Sequence, residues 1–367
     1  MKILIYQPRA SYYVGGGEVV AINQAIHLIK NGHDIIFVST KADWLIESDM
    51  FKKFKSDYLN NVFQFMIPEK IKYIYDKKPG HDWIRWDLES VHVSLIAKIF
   101  IEKIDYDIAI CHLPLDLIGL NPSLKNIVYL HGYPSTLNYA CNILLDNQQN
   151  FIAVSETVKN FWNGMIENKA INVVYNGVDT EYFSPDSNER KEYDFLFVGR
   201  LIESKGVMNL LKAFKQMLTR NGELKLAIVG AGPLEVEINR FVVENNLNSN
   251  VNVLGYLNDF ELLKMYHKSK IAVLPSLGKE GVLTTALEAT ACGLPVITSN
   301  NSSLIEYIVE GENGLLVNSN NVLEISQSME TLINNPEMLV KMSKNARLMS
   351  SGWNWVESIK KLEQFLI

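Results

Sequence analysis

Short apolar runs alternate with helical segments along this chain, and the alternation restarts half-way. Ile3 to Tyr6 has the length and character of a buried strand. A glycine run, Gly15-Gly16-Gly17, leads into Glu18 to Asn31, where apolar residues at 19, 20, 22, 25, 26, 28 and 29 keep a helical period that Gly32 ends. Ile35 to Val38, Ile108 to Ile110, Ile127 to Leu130 and Phe151 to Val154 are further strand candidates. Continuous apolar runs separated by helices predict a parallel, doubly wound sheet covered on both faces. After the turn-rich stretch from Asn176 to Glu192 the pattern begins again with Phe195 to Val198 and a helix from 207 to 219. Leu226 to Val229, a helix ending at Asn245, Val251 to Leu254, Ile271 to Leu274 and Val296-Ile297 continue it. The boundary is expected near Pro185, giving two Rossmann-like α/β domains, 1–185 and 186–350.

Composition narrows the classes. With 367 residues, 47% of them hydrophobic, the chain can bury two cores. A net charge of −6 argues against nucleic-acid binding driven by overall charge. Cys111, Cys141 and Cys292 lie far apart, which excludes a disulfide scaffold and a Cx2C zinc site and suits a reducing cytosol. The first apolar run is too short for a signal peptide, and no run of about 18 apolar residues offers a spanning helix. A cytoplasmic chain is the expectation.

Two segments can carry chemistry. Gly199-Arg200-Leu201-Ile202-Glu203-Ser204-Lys205-Gly206 follows a strand and precedes a helix. Ligands of open α/β sheets bind at that end of the strands. Arg200 and Lys205 can converge there on one anion, helped by the helix N-terminus, in a diphosphate-binding arrangement that needs no metal. Two solvated cations on a surface loop would have the same sequence. The second segment runs from Glu280 to Glu288, between Leu274-Pro275-Ser276 and Cys292-Gly293-Leu294-Pro295. Its carboxylates lie up to about 12 Å apart on a helix. That suits one sugar ring each at the two ends of a diphosphate, and not a glycosidase pair about 5 to 9.5 Å apart. A helix-start Glu and a solvated Glu are the plainer reading, although Glu288 sits beside the apolar run from Leu287 to Cys292.

Together these segments resemble the retaining glycosyltransferase family 4, built on the GT-B fold. The resemblance spans nearly the whole chain, in order: the Gly15–Gly17 loop, His131-Gly132, Val154-Ser155-Glu156, Asn176-Gly177-Val178-Asp179, the Gly199–Gly206 loop, Val229 to Pro233, Leu254-Gly255-Tyr256, Leu274-Pro275-Ser276 and the Glu-x7-Glu segment. It implies two Rossmann-like domains facing each other across a cleft, with residues 351–367 as a tail helix returning to the first. It implies a nucleoside-diphosphate sugar donor, a UDP-sugar in the first instance, and a glycan or lipid-linked acceptor, without a cofactor or metal. Arg200 and Lys205 would hold the diphosphate, Glu280 the transferred sugar and Glu288 the ribose. His131 would face the donor sugar. Gly16 and Gly17, Gly199, and the backbone at Val282, Leu283 and Thr284 would approach phosphates or sugar, with any of Gly15 to Gly17 able to be the phosphate-facing one. Tyr256 and Leu257 would border the base. The family's usual Phe-Gly after Glu280-Gly281 is here Val282-Leu283, which bears on sugar choice and on turnover. A nucleotide-sugar epimerase of this architecture and a non-catalytic partner subunit are the alternatives.

Other signals carry less. Asp105-Tyr106-Asp107 has the D-x-D pattern of metal-dependent transferases but precedes its strand, the wrong end for a ligand. His112 follows a strand, as His131 does, and is a weaker candidate. Gly230-Ala231-Gly232 lacks the third glycine and the acidic residue of a dinucleotide fingerprint. The stretch 51–86 holds eight Lys or Arg against four acids, with aromatics interleaved. It is either a solvated insertion covering a core or a surface for anionic lipid, which would make the protein peripheral to a membrane.

Overall fold

In the computed structural model, described for residues 1–74, 83–133, 143–166, 169–278 and 281–366, the chain forms two compact units. One comprises Met1–Asn176 with Trp355–Ile367, the other Gly177–Asn354. The expected boundary at Pro185 falls inside the second unit. The connection through 180–185 is held there: Arg347 Nη1 donates to Thr180 O and Phe183 O, His267 Nε2 pairs with Ser184 O, and Pro185 lies beside Gly293.

The first unit holds β1 (Lys2–Tyr6), β2 (Asp34–Lys41), β3 (Val62–Met66), β4 (Ile108–Cys111), β5 (Lys125–Leu130), β6 (Asn150–Ala153) and β7 (Ile171–Val173). Among the described residues they make one parallel sheet in the order β3-β2-β1-β4-β5-β6-β7. The second unit holds β8 (Tyr193–Val198), β9 (Leu226–Val229), β10 (Val251–Val253), β11 (Ser269–Leu274), β12 (Val296–Ser299) and β13 (Gly314–Val317). These order as β10-β9-β8-β11-β12-β13, again parallel. Helices on both faces explain the unbroken apolar strands: Ile3, Leu4, Ile5, Ala109, Ile110, Ile127 and Val128 are wholly buried in the first sheet, and Phe195, Leu196, Ile271 and Val273 in the second. Each order reverses direction once, between β1 and β4 and between β8 and β11. Chains leaving those neighbouring strands part to opposite sides, and the crevice so opened is where this architecture binds ligands.

The helix expected at 18–31 begins at Gly16 and ends at Lys30. Gly15 is its N-cap, so Gly16 and Gly17 occupy the first two helical positions, whose amides have no acceptor within the helix. Asp49–Asp57 is a helix capped by Ser48, and it buries Phe51 and Phe54 against Phe37 of β2. Phe65 of β3 packs on Phe100. Part of the basic, aromatic stretch is therefore core and edge strand.

The tail divides within the span expected for it. Trp353 belongs to the second unit, stacked edge-on against Tyr307. From Trp355 the chain is part of the first unit, where the helix Trp355–Glu363 lies against Gly16–Lys30. His33 Nε2 meets Glu363 Oε1 at 2.9 Å, and Ser358 Oγ donates to Tyr175 O at 2.7 Å.

Candidate functional site

In the second unit, the chain leaving β8 forms the loop from Gly199 to Gly206. Gly199 and Leu201 donate backbone N–H groups to Val229 and Ala231, and Leu234 donates back to Leu201 O. Leu277 donates to Ser204 O at 2.8 Å. The exits of β8, β9 and β11 are thus knitted together backbone to backbone. Two glycines make this possible. At Gly206 φ is +70° and an added Cβ would sit 1.9 Å from Pro275 O; at Gly230 φ is +139° and a Cβ would sit 1.8 Å from Gly199 O. Gly230 also donates to Gly255 O, which brings the loop carrying Tyr256 and Leu257 beside the same strand ends.

On this loop Arg200 is exposed, whereas Lys205 is buried at 9%. Gly206, the N-cap, leads into the helix Val207–Leu218. Glu280 lies outside the described residues. Val282 is buried, and Leu283 is the N-cap of the helix Thr284–Ala291 at φ −80°, ψ 110°. That is ordinary extended backbone, so the residue standing where the family has glycine fits without strain. Leu283 offers no side-chain acceptor, so nothing on it competes for the first amides from Thr284 onward.

Glu288 lies one turn further along this helix. Its Oε2 accepts a hydrogen bond from Tyr266 Oη at 2.8 Å. Burial pushes its carboxyl up to about 7; the Tyr266 hydrogen bond pulls it down and Asp259 adds to the rise. Nothing in the sequence flagged Tyr266, which stands on another helix, Asp259–Lys268.

In the first unit, the switch point lies between Gln7, after β1, and His112, after β4. His112 Nδ1 and His131 Nε2 are 2.8 Å apart, one donating and the other accepting. The rings of Tyr129, His112 and His131 stack at 5.0 to 5.8 Å. Burial pushes His131 down to about 4, and His112 well below its ordinary value, with the neighbouring ring adding to the effect. Both imidazoles are therefore neutral at pH 7. Gly17 abuts this pair: a Cβ there would lie 3.7 Å from His131 Cδ2 and 3.8 Å from Gln7 Nε2. His131 was the stronger candidate on sequence, and the structure joins it to His112.

Behind them, Arg9 is buried under the Trp86 ring, donating to Trp86 O and Ser90 Oγ and pairing with Glu89 at 3.1 Å. Buried Asp116, on the chain leaving β4, is pushed up to about 7 by burial, although Arg9 opposes this. The Asp105-Tyr106-Asp107 group is used at the other end of the strands. Asp105 pairs with Lys2, Asp107 accepts from Lys2 N, and Tyr106 Oη accepts from Asn121 N.

The profile of the family described as Glycosyltransferase Family 4 matches residues 14–182, and that of Glycosyl transferases group 1 matches residues 179–349. The chain belongs to glycosyltransferase family 4. An uncharacterized glycosyltransferase of Methanocaldococcus jannaschii is 28% identical over 98% of this chain and 96% of its own. The capsular polysaccharide biosynthesis glycosyltransferase CapM of Staphylococcus aureus is 28% identical over 53% of this chain and 55% of its own. The fold of this glycosyltransferase matches that of Anabaena HepE, solved in complex with UDP-glucose, at a TM-score of 0.77 and 18% identity over 100% of this chain and 99% of that one. The architecture is GT-B.

Proposed function

We propose that this glycosyltransferase is a retaining, metal-independent hexosyltransferase that moves a sugar from a nucleoside-diphosphate donor to a glycan or lipid-linked acceptor. The observation that carries the reading is the placement of Arg200 and Lys205 on the loop leaving β8, at the switch point of the second sheet. Their positive charge meets the departing diphosphate and supplies the stabilisation that a cation gives elsewhere. Glu288 takes the ribose, Glu280 the transferred sugar, and the loop of Tyr256 and Leu257 borders the base. The amides of Gly16, Gly17 and Thr284 are assigned to phosphate or sugar oxygens. His131, neutral and paired with His112, hydrogen-bonds a sugar hydroxyl.

With no side chain assigned as a nucleophile on the sugar, attack occurs on the face the diphosphate leaves, and the leaving phosphate takes the acceptor's proton. UDP is favoured because HepE, which shares the fold, was solved with UDP-glucose. CapM, named for capsular polysaccharide synthesis, supports a cell-surface glycan as the product. The ordinary extended backbone at Leu283 is compatible with turnover.

The test is a thermal-shift screen across UDP-, GDP-, ADP- and dTDP-sugars. A true donor at 100 times its Kd adds about 2.7 kcal/mol of stability. The anomeric configuration of the product, read by NMR, then decides retention. Stabilisation by none of these donors, or an inverted product, defeats the proposal.

A further inference from the structure

Tyr266 is wholly buried on the helix Asp259–Lys268, and its hydroxyl is directed at the carboxylate of Glu288, a residue that is only partly buried. It donates to Glu288 Oε2 at 2.8 Å and lies 3.3 Å from Thr285 O, so it ties the last turn of one helix to the helix Thr284–Ala291. The other side of the ring is fixed by Phe183, edge-on at 6.0 Å and 79°. Phe183 is itself fixed through its carbonyl, which accepts from Arg347. Among the described residues Tyr266 is the hydrogen-bond partner of the Glu288 side chain.

A glutamate on a helix has three side-chain torsions and several rotamers of similar energy. A carboxylate that must meet two vicinal hydroxyls together needs one orientation. It offers about four acceptor positions, of which Tyr266 takes one and a diol takes two. A buried phenol held by packing is a rigid support for that orientation, and supporting groups of this kind set how tightly a binding group performs. We propose that Tyr266 is a positioning residue, fixing Glu288 for the ribose diol and so setting the discrimination between ribonucleoside and 2′-deoxyribonucleoside diphosphates. This rests on the reading of Glu288 as the ribose partner.

The groups facing the Glu288 carboxyl also fix its protonation. Burial and Asp259 favour the acid form, and the Tyr266 hydrogen bond favours the carboxylate. Cys292, the C-cap of the same helix, feels the Glu288 charge and is itself pushed up by burial. The acid form has lost an acceptor, so the diol is gripped by the carboxylate. Removing the phenol oxygen moves the carboxyl further up, and the ribose preference of the variant then needs a higher pH.

Calorimetry of UDP and 2′-deoxy-UDP from pH 6 to 8.5 tests this, using wild type, Tyr266→Phe and Glu288→Gln. If the donor screen selects another base, the same pair of that base is used. The wild type should prefer the ribonucleotide by about tenfold or more, the scale of a buried hydrogen bond to a charged group. Glu288→Gln should abolish the preference. Tyr266→Phe should lose about three- to tenfold of it at pH 7 and recover part of it toward pH 8.5. If Glu288→Gln keeps the preference, the ribose reading falls and the inference with it. If Glu288→Gln loses it while Tyr266→Phe keeps both preference and pH profile, the reading stands and the inference is overturned. Equal weakening of both nucleotides in Tyr266→Phe also overturns it, since that marks a merely structural residue.

Discussion

The two units use one topology for opposite electrostatic tasks. Each has a crevice where the strand order reverses, at β1 and β4 in the first and at β8 and β11 in the second. At the strand ends of the first stand uncharged groups, Gln7, Gly17 and two imidazoles that burial holds neutral, while its buried charges, Arg9 with Glu89, are paired with each other. The second carries Arg200, the buried Lys205 and a helix start, with Glu288 one turn on. Fold alone therefore does not assign the chemistry; the residues on the loops leaving the strands do. On the proposed reaction, charge develops on the leaving diphosphate, which is matched by the cationic crevice. The neutral one suits hydroxyl groups.

The largest test of this contrast is the removal of charge. Arg200→Ala or Lys205→Ala should lower kcat by roughly 10²-fold or more, as expected for the loss of one preorganised electrostatic donor. His112→Asn, which preserves a hydrogen-bonding group in the neutral crevice, should cost much less. The same assays in excess EDTA should show unchanged rates. Wild-type rates in both charge variants, or activity restored only by Mn²⁺, would dissolve the contrast.

Glycine gives a second comparison, in stability. At Gly206 and Gly230 a methyl group meets a carbonyl oxygen at under 2 Å on backbone with positive φ, so neither can shift cheaply. Gly206→Ala should cost at least 2 kcal/mol, roughly, in urea unfolding of the second unit, by overpacking plus strain. At Gly17 the contacts are ordinary, at 3.7 and 3.8 Å. Gly17→Ala should leave stability within about 0.5 kcal/mol while narrowing the space beside His131. Equal costs at both positions would mean that the first unit's glycine is structural as well.

Much of this was legible in the sequence. The parallel sheets follow from runs such as Ile3 to Tyr6 and Phe195 to Val198, because strands buried on both faces must be apolar throughout. The short edge strand β10 was legible as well, but three other short or edge strands were not. β7 has three residues; β3, reading Val-Phe-Gln-Phe-Met, lies at the sheet edge with alternating exposure; β13 begins on a glycine. The start of the first helix was misplaced because glycine is costly inside a helix, a cost that does not decide the first two positions. For the site, Arg200, Lys205 and His131 were found by one rule, the strand that precedes each. His112 obeys that rule too, but its partner could only be seen in three dimensions. Tyr266 obeys none, since its role depends on a contact between two separate helices.

A smaller effect concerns acid. The folded-state pKa values of His131 and His112 lie below their unfolded values. The unfolded chain therefore binds more protons below about pH 6.5, and stability is lost as pH falls toward 4. The slope is at most about 1.4 kcal/mol per pH unit for each group. Replacing both with asparagine should flatten the acid limb of a melting-temperature profile between pH 6.5 and 4.5. An unchanged limb would place the acid sensitivity elsewhere, Glu288 and Asp116 being excluded by the opposite direction of their shifts, which add stability loss toward high pH.

The smallest effect distinguishes the outer surfaces of the units. No described helix is long and apolar enough to cross a membrane. The stretch 51–86 has an excess of four positive charges on a chain of net −6. The fold reduces what that stretch can offer. Phe51 and Phe54 are core, Lys55 is held by Glu47 and Gln64, and Lys52 pairs with Asp49. Exposed Phe63, Met66 and Tyr73 remain, with Lys53 and Lys70 on the same segment. Each such lysine is worth at most about 1 kcal/mol near an anionic surface, and the Debye length of about 10 Å at 0.1 M salt reduces that further. We therefore propose weak, salt-sensitive binding to phosphatidylserine vesicles, cut roughly threefold to tenfold by changing Lys53, Lys70 and Lys72 together to Glu. Changing Lys212, Lys215 and Lys225 of the second unit in the same way should do nothing. If both triple variants lose binding equally, the attraction is a property of overall charge, and the basic stretch has no special part in reaching the acceptor.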